Sequence, residues 1–389
     1  MEPFRLVPAA APAQPGGRLE DRGEEEVIPP DDPARLALEA FPLGRPRRLE
    51  PLGNGLINRT LLVEDEGGAS WVLQRVNPIF PPQVQLDIEA VTAHLAECGL
   101  TTPRLLRTRG GQLWADQGEA GIWRMLSHVP GCTIERTDDP QLLHAAGGLV
   151  ARFHLALTTL RHEFRSVRSG VHDTARHLEA LRQALVRHTD HCLHAEIAAL
   201  AVRILDAADR LPPLPALPRR IVHGDLKISN VRFGLPPRPE AVALLDLDTL
   251  GRGSLPVELG DALRSWCNPR GEDSAEACFD LDLFQAAVTG YADAARGQIE
   301  QVEQEALVPA LRIIAVELAS RFCRDALEES YFGWDCARFT SAAEHNLVRA
   351  TSQLQLACAV AAGEAEAGRA VRAAFGGRGE APYGTQGRR

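Results

Sequence analysis

The sequence predicts an α+β chain of two lobes: a small antiparallel sheet carrying one helix, then a larger, mainly helical lobe. Three observations lead there. Alternating apolar runs at 59–63 and 71–76 flank a polar turn containing Gly67-Gly68, a hairpin pattern. Val84, Ile88, Val91 and Leu95 then recur at helical spacing. From Gln141 onward helical periodicity prevails, interrupted by short apolar strands at 221–222 and 241–247.

Taken in order, residues 1–33 are rich in Pro, Ala, Gly and Glu without apolar periodicity, and are expected to be disordered. A short helix is expected at 34–41. The turn Gly53-Asn54-Gly55 precedes the first strand of the hairpin, and Pro81-Pro82 precedes the helix that Gly99 ends. Strands at 104–108 and 120–126 complete a small lobe assigned to 34–127. Residues 125–129, ahead of Pro130-Gly131, read as a hinge. The large lobe, 128–363, is expected to carry helices at 141–160, 171–186, 193–210, 276–294, 303–328 and 339–361. The tail, 364–389, reads as disordered.

The strands of the large lobe carry the chemistry. His223-Gly224-Asp225-Leu226-Lys227-Ile228-Ser229-Asn230 is followed by Leu245-Asp246-Leu247-Asp248-Thr249. Asp225 is the candidate general base for a hydroxyl. Asn230 and Asp246 offer hard oxygens for Mg²⁺, and Gly234-Leu235-Pro236-Pro237 allows a hairpin that returns both to one end. Asp248 either assists the metal or holds the loop. Lys227 either neutralises a transferring phosphoryl group or is a solvated loop lysine. Phosphoryl transfer needs this set, because it is mostly positioning and charge neutralisation. In the small lobe, Arg75 on a strand and Glu89 on the next helix suggest an ion pair that holds a cation against nucleotide phosphates. Gly53, Asn54 and Gly55 offer backbone N–H groups, or form an ordinary hairpin turn. Met125 and Ser127 would meet the adenine through their backbone. The layout is that of a protein-kinase-like fold with ATP and Mg²⁺ as cofactors.

Bulk properties narrow the class. A formal net charge of -10 argues against general nucleic-acid binding. The eight cysteines form no Cys-x-x-Cys pair, so zinc ligation and a disulfide framework are not expected. Neither a signal peptide nor a membrane span is visible. A cytoplasmic protein binding a nucleotide and a small molecule is expected; oligomeric state is not legible.

His-Gly-Asp-x-x-x-x-Asn followed by Leu-Asp-x-Asp resembles the aminoglycoside phosphotransferase and choline kinase superfamily. Asp-Leu-Lys-x-x-Asn is shared with protein kinases, but their Asp-Phe-Gly and Ala-Pro-Glu signatures are missing. A narrower resemblance, over roughly residues 45–360, is to the N-acetylhexosamine 1-kinases. It rests on the segments around Gly53 to Asn58, Trp71 to Asn77, Asp246 to Thr249, Glu258 to Arg264, His172-Asp173-Thr174, and Arg321-Phe322 through Tyr331-Phe332 to His345-Asn346-Leu347. That resemblance implies ATP- and Mg²⁺-dependent phosphorylation of an anomeric sugar hydroxyl. Asp261 and Arg264 would bind the sugar, or form a structural ion pair; His172 and Arg321 are further candidates for its pocket. The sugar kinases carry His-Asn-Asp-Thr-Lys where this chain has His-Gly-Asp-Leu-Lys. An aminoglycoside, choline or homoserine-like acceptor therefore stays open, as does a nucleotide-binding regulator without turnover.

Overall fold

The computed structural model describes residues 28–29, 31–53, 57–166, 170–235, 240–295 and 297–376. Helix α1 (Pro33–Glu39) starts where Asp32 caps it, accepting from the Ala34 N–H at 2.8 Å, with Pro33 at a position that needs no N–H. Strands β1 (Arg48–Pro51), β2 (Arg59–Glu64) and β3 (Ser70–Arg75) precede α2 (Val84–Glu97), and β4 (Ala115–Asp116) and β5 (Ile122–Ser127) follow it. They form one antiparallel sheet in the order β1-β2-β3-β5-β4. Side chains alternate across it. Leu61, Val63, Leu73, Trp123 and Met125 form one apolar cluster with α1 and Phe41. Thr60, Gln74 and Arg124 lie at the alternate positions, on the face toward α2.

The large lobe contains α3 (Pro140–Leu157), α4 (Thr174–Arg187), α5 (His194–Ala208), β6 (Arg220–Val222), β7 (Val231–Phe233), β8 (Ala241–Leu244) and β9 (Gly251–Gly253). After these come α6 (Leu255–Trp266), α7 (Leu281–Ala295), α8 (Gln301–Glu305), α9 (Leu307–Glu328), α10 (Ala342–Ala362) and α11 (Glu364–Gly376). Helix α9 is buried nearly all round and packs against α4, α5, α6 and α10, as an apolar helix at the centre of a lobe must. Strand pairs β7–β8 and β6–β9 bring the two chemical loops together.

Several expectations need correction. Residues 364–376 are helical, with Ala367 and Val371 buried; their stripe is mostly alanine, too weakly apolar to stand out. Ile28 is buried, and Arg35 donates to the carbonyls of Ile28 and Pro29. The chain thus joins the fold just before Pro33, within the segment expected to be disordered, while residues 1–27 and 377–389 lie outside those described. The strand expected at 104–108 makes a single bridge, Leu105 to Leu126, before Arg109 leaves to bond Ala40. Helix α6 was hidden by Glu258 and Gly260; a Cβ on Gly260 would lie 2.8 Å from the Leu311 nitrogen, so glycine lets α6 sit directly on α9. No helix among the described residues is long and apolar enough to cross a membrane.

Candidate active site

The loop after β6 is built around a buried acid. Glu258, on α6, accepts from the backbone N–H of His223 at 2.7 Å and of Gly224 at 2.9 Å. Burial alone would raise its carboxyl; His154, His223 and the Gly224 N–H hold it below the usual carboxylate range instead. Gly224 has φ +84°, and a Cβ there would meet the Thr249 carbonyl at 2.5 Å, so only glycine fits. The His223 ring donates from Nε2 to the Leu245 carbonyl at 2.9 Å, and Thr249 Oγ1 donates to the His223 carbonyl at 2.8 Å. Trp266 donates to the Leu226 carbonyl at 2.7 Å. The two chemical loops are thereby stitched into one unit.

Asp225 projects from this unit with two neighbours. Lys227 Nζ lies 3.4 Å from its Oδ2, and Asn230 Nδ2 donates to the same oxygen at 3.0 Å and to the Asp225 carbonyl at 2.8 Å. Both partners of Asn230 are acceptors, which fixes the amide and leaves its oxygen as the end able to face a cation. Asp246 sits at φ 60° in the left-handed region. Burial, then Asp248 and Asp225, push its carboxyl up to about 6. Burial would lower Lys227, but Asp225 and Asp246 raise it overall. A site crowded with buried like charges fits a divalent cation held by Asp246 and the Asn230 oxygen.

Asp248 is placed differently from the metal role considered for it. Both its oxygens face protein donors: Arg124 Nη1, Arg124 Nη2 at 2.8 Å and Asn58 Nδ2 at 2.7 Å. Arg124 also reaches Gln74 at 2.9 Å and Gln85 on α2 at 3.2 Å, and Asn58 accepts from the Asn77 N–H at 2.9 Å. This buried network ties β2, β3, α2 and β5 to the loop after β8.

It also displaces the expected Arg75–Glu89 pair. Register places Gln74 opposite Arg124 and Thr60, so Arg75 falls on the other face, against Gly121. Glu89 pairs with Arg107 at 3.1 Å and approaches Arg104 at 3.8 Å. From the strands of the sheet, the cation that reaches α2 is Arg124, and its helix partner is Gln85, one turn before Glu89. The hinge groups are also engaged: the Met125 carbonyl accepts from the Leu106 N–H, and the Ser127 N–H donates to the Arg104 carbonyl, each at 2.8 Å. The Met125 side chain is buried under α1. Gly53 has φ +71°, whereas Asn54 and Gly55 lie outside the described residues.

A second polar cluster adjoins Asp225. Arg264 Nε binds Asp261 at 2.8 Å and its Nη1 lies 3.2 Å from Glu272. Its charge acts on Asp225 as well. His172 Nδ1 lies 3.1 Å from Glu317, whose other oxygen accepts from Thr174 at 2.6 Å. Arg321 stacks over Tyr331 and Phe332, with centroid distances of 5.9 and 5.6 Å. Burial would raise the Asp261 carboxyl, yet Arg264, His172 and Arg321 hold it below its ordinary value. His172, Asp261, Arg264 and Arg321 are thus brought together, with Glu317 between them in sequence.

Comparison with known proteins follows this geometry. The model of the Phosphotransferase enzyme family matches residues 48–296, well over half of the chain. The chain belongs to this family. It is 29% identical to a homoserine kinase of Pseudomonas aeruginosa (strain UCBPP-PA14) over 293 residues, 72% of this chain and 84% of that protein. Among solved structures it resembles an amicoumacin kinase in complex with AMP-PNP and Ca²⁺, with TM-score 0.58 and 13% identity, covering 84% of this chain and 94% of that one. It also resembles a microcompartment-associated aminopropanol kinase, with TM-score 0.56 and 17% identity, covering 86% and 98%.

For this phosphotransferase, the residues missed in the sequence carried faint signals. Arg124 stands in Ile-Trp-Arg-Met-Leu, a charge inside an otherwise apolar strand. Glu317 lies four before Arg321, on the same side of its helix. Asn58 entered only as the end of a resembling segment and Gln85 gave no signal, because their importance depends on where Arg124 and Asp248 meet.

Proposed function

We propose that this phosphotransferase moves the γ-phosphoryl group of ATP to a hydroxyl of a small polar acceptor, with Asp225 as general base. The observation that carries the reading is the setting of Asp225: Lys227 at 3.4 Å, Asn230 at 3.0 Å, and the charges of Asp246 and Arg264 acting on the same pocket. Asp225 takes the hydroxyl proton or orients that oxygen. Lys227 spreads positive charge over the transferring group. Asn230 and Asp246 would hold Mg²⁺, which when bound neutralises charge on the nucleotide phosphates.

The preferred acceptor is a sugar, an N-acetylhexosamine attacked through its anomeric oxygen. Support comes from the mixture beside Asp225: acceptors on Asp261 and Glu317, donors on Arg264, Arg321 and His172, and the exposed ring of Tyr331. Neutral polyols suit such alternating donors and acceptors, whereas a polycationic acceptor would want an acidic wall. A second reading, an amino alcohol resembling homoserine, is favoured by the Asp261–Arg264 pair, which suits an ammonium and a carboxylate on one small molecule.

Incubation with ATP, Mg²⁺ and a panel of N-acetylhexosamines, amino alcohols and aminoglycosides, with phosphorus NMR locating the new ester, decides between them. Phosphorylation at the anomeric carbon is expected. A phosphate on a primary alcohol of an amino acid would replace the sugar reading, and no turnover with any acceptor would count against the enzyme reading itself.

A further inference from the structure

A cleft of about 590 Å³ lies away from the acceptor cluster, between the end of α3 and the β6–β9 pair. Arg161, Arg219, Arg220 and Arg252 line it, with His154 and Thr158. Arg220 is neutralised: Glu303 binds it through two oxygens, at 2.8 and 2.7 Å. Among the described residues, Arg161, Arg219 and Arg252 make no ion pair, and all three are exposed. Arg219 donates to the Arg252 carbonyl, which holds the two side by side. A chain with 52 acidic and 42 basic residues has carboxylates in excess, yet none of the described ones pairs with these guanidinium groups. The carboxyl end of α3 also faces the cleft and opposes an anion with about half a charge; three full charges outweigh it.

We propose that this cleft binds a phosphate-bearing small molecule and that occupancy is felt by the catalytic loop. Guanidinium forks match phosphate oxygens in geometry and charge, and the volume is that of a small-ligand pocket. The route inward is short. His154 lies 3.4 Å from Glu258 Oε1, and Glu258 holds the N–H groups of His223 and Gly224 beside Asp225. His154 is also fixed by Tyr291 at 3.0 Å, so a shift of α3 moves the ring and its Glu258 contact together.

The test uses the full chain with its nucleotide site saturated by a non-hydrolysable ATP analogue and Mg²⁺. Titration calorimetry with glycerol 3-phosphate and with inorganic phosphate reads binding without turnover, so it stands or falls independently of the acceptor assignment. Saturable binding is expected, weakened about tenfold for each guanidinium removed in Arg161→Gln and Arg252→Gln. Tighter binding of the ester identifies a phosphorylated metabolite as occupant; equal binding identifies free phosphate. No saturable binding, or equal affinity in the double variant, overturns the site. Initial rates with ATP and acceptor should change with added ester in the wild type and not in the double variant. Binding that leaves the wild-type rate unchanged overturns the coupling to the loop.

Discussion

The proposed catalytic loop and the seam between the lobes are both buried and polar, yet different bonds hold them. The loop hangs on backbone groups: Glu258 receives two N–H groups, and His223, Thr249 and Trp266 close on carbonyls. The seam is held by side-chain charge, with Arg124 and Asp248 almost wholly buried against each other and Asn58 and Gln85 completing the set. A backbone-held loop leaves its side chains available for chemistry. A charge-held seam spends its side chains, and losing one strands another. Asp246 and Asp248, two residues apart, fall on opposite sides of this division.

Three experiments sharpen the contrast. The largest effect is expected at the loop's working side chain. Asp225→Asn should lower kcat by about 10²- to 10⁴-fold with little change in Tm, because its backbone bonds are untouched; steady-state kinetics beside thermal unfolding checks both halves. A kcat near wild type would remove Asp225 from the base role.

Next comes the seam. Arg124→Met should cost roughly 3–5 kcal/mol of stability, since Asp248 stays buried without its partner. Combining it with Asp248→Asn should recover part of that loss, as neighbours in one network are not additive. Denaturant titration of both single variants and the double measures the coupling, and simple additivity would mean that the pair contributes no more than its parts.

The smallest effect is a pH dependence in the proposed acceptor cluster. Burial would lower His172, but its bond to Glu317 raises it overall above the ordinary 6.5. A folded-state value above the unfolded one gives stability that is fully present below pH 6.5 and is lost as pH rises through the raised value. The Tm gap between wild type and His172→Gln should therefore be widest near pH 6 and narrow toward alkaline pH. A constant gap would indicate packing in place of charge.

The same division explains what was legible in the sequence. Asp225, Lys227 and Asn230 lie within six residues and Asp246 on the next hairpin, so short-range spacing carried them. The two-lobed fold was readable because alternation in β2 and β3 and the stripe on α2 are local patterns. The seam was not readable. The expectation for Arg75 depended on the face of β3, and a one-residue slip exchanges faces; the face toward α2 carries Gln74 and, across from it, Arg124. Asp248 had no local mark to separate it from Asp246; Arg124 and Asn58, 124 and 190 positions away in the chain, do so. In the proposed acceptor cluster, His172, Asp261, Arg264 and Arg321 entered through resemblance, and the faint signal of Glu317, four before Arg321, gained meaning once α4 and α9 were packed together.

The most direct test is a crystal structure with a non-hydrolysable ATP analogue and Mn²⁺ in place of Mg²⁺, with the ion located by its anomalous signal. The ion should be bonded to the Asn230 amide oxygen and the Asp246 carboxylate, with Asp225 facing the γ-phosphate and Asp248 still on Arg124. An ion bound through Asp248, or lying beyond reach of both Asn230 and Asp246, would contradict the arrangement of the site.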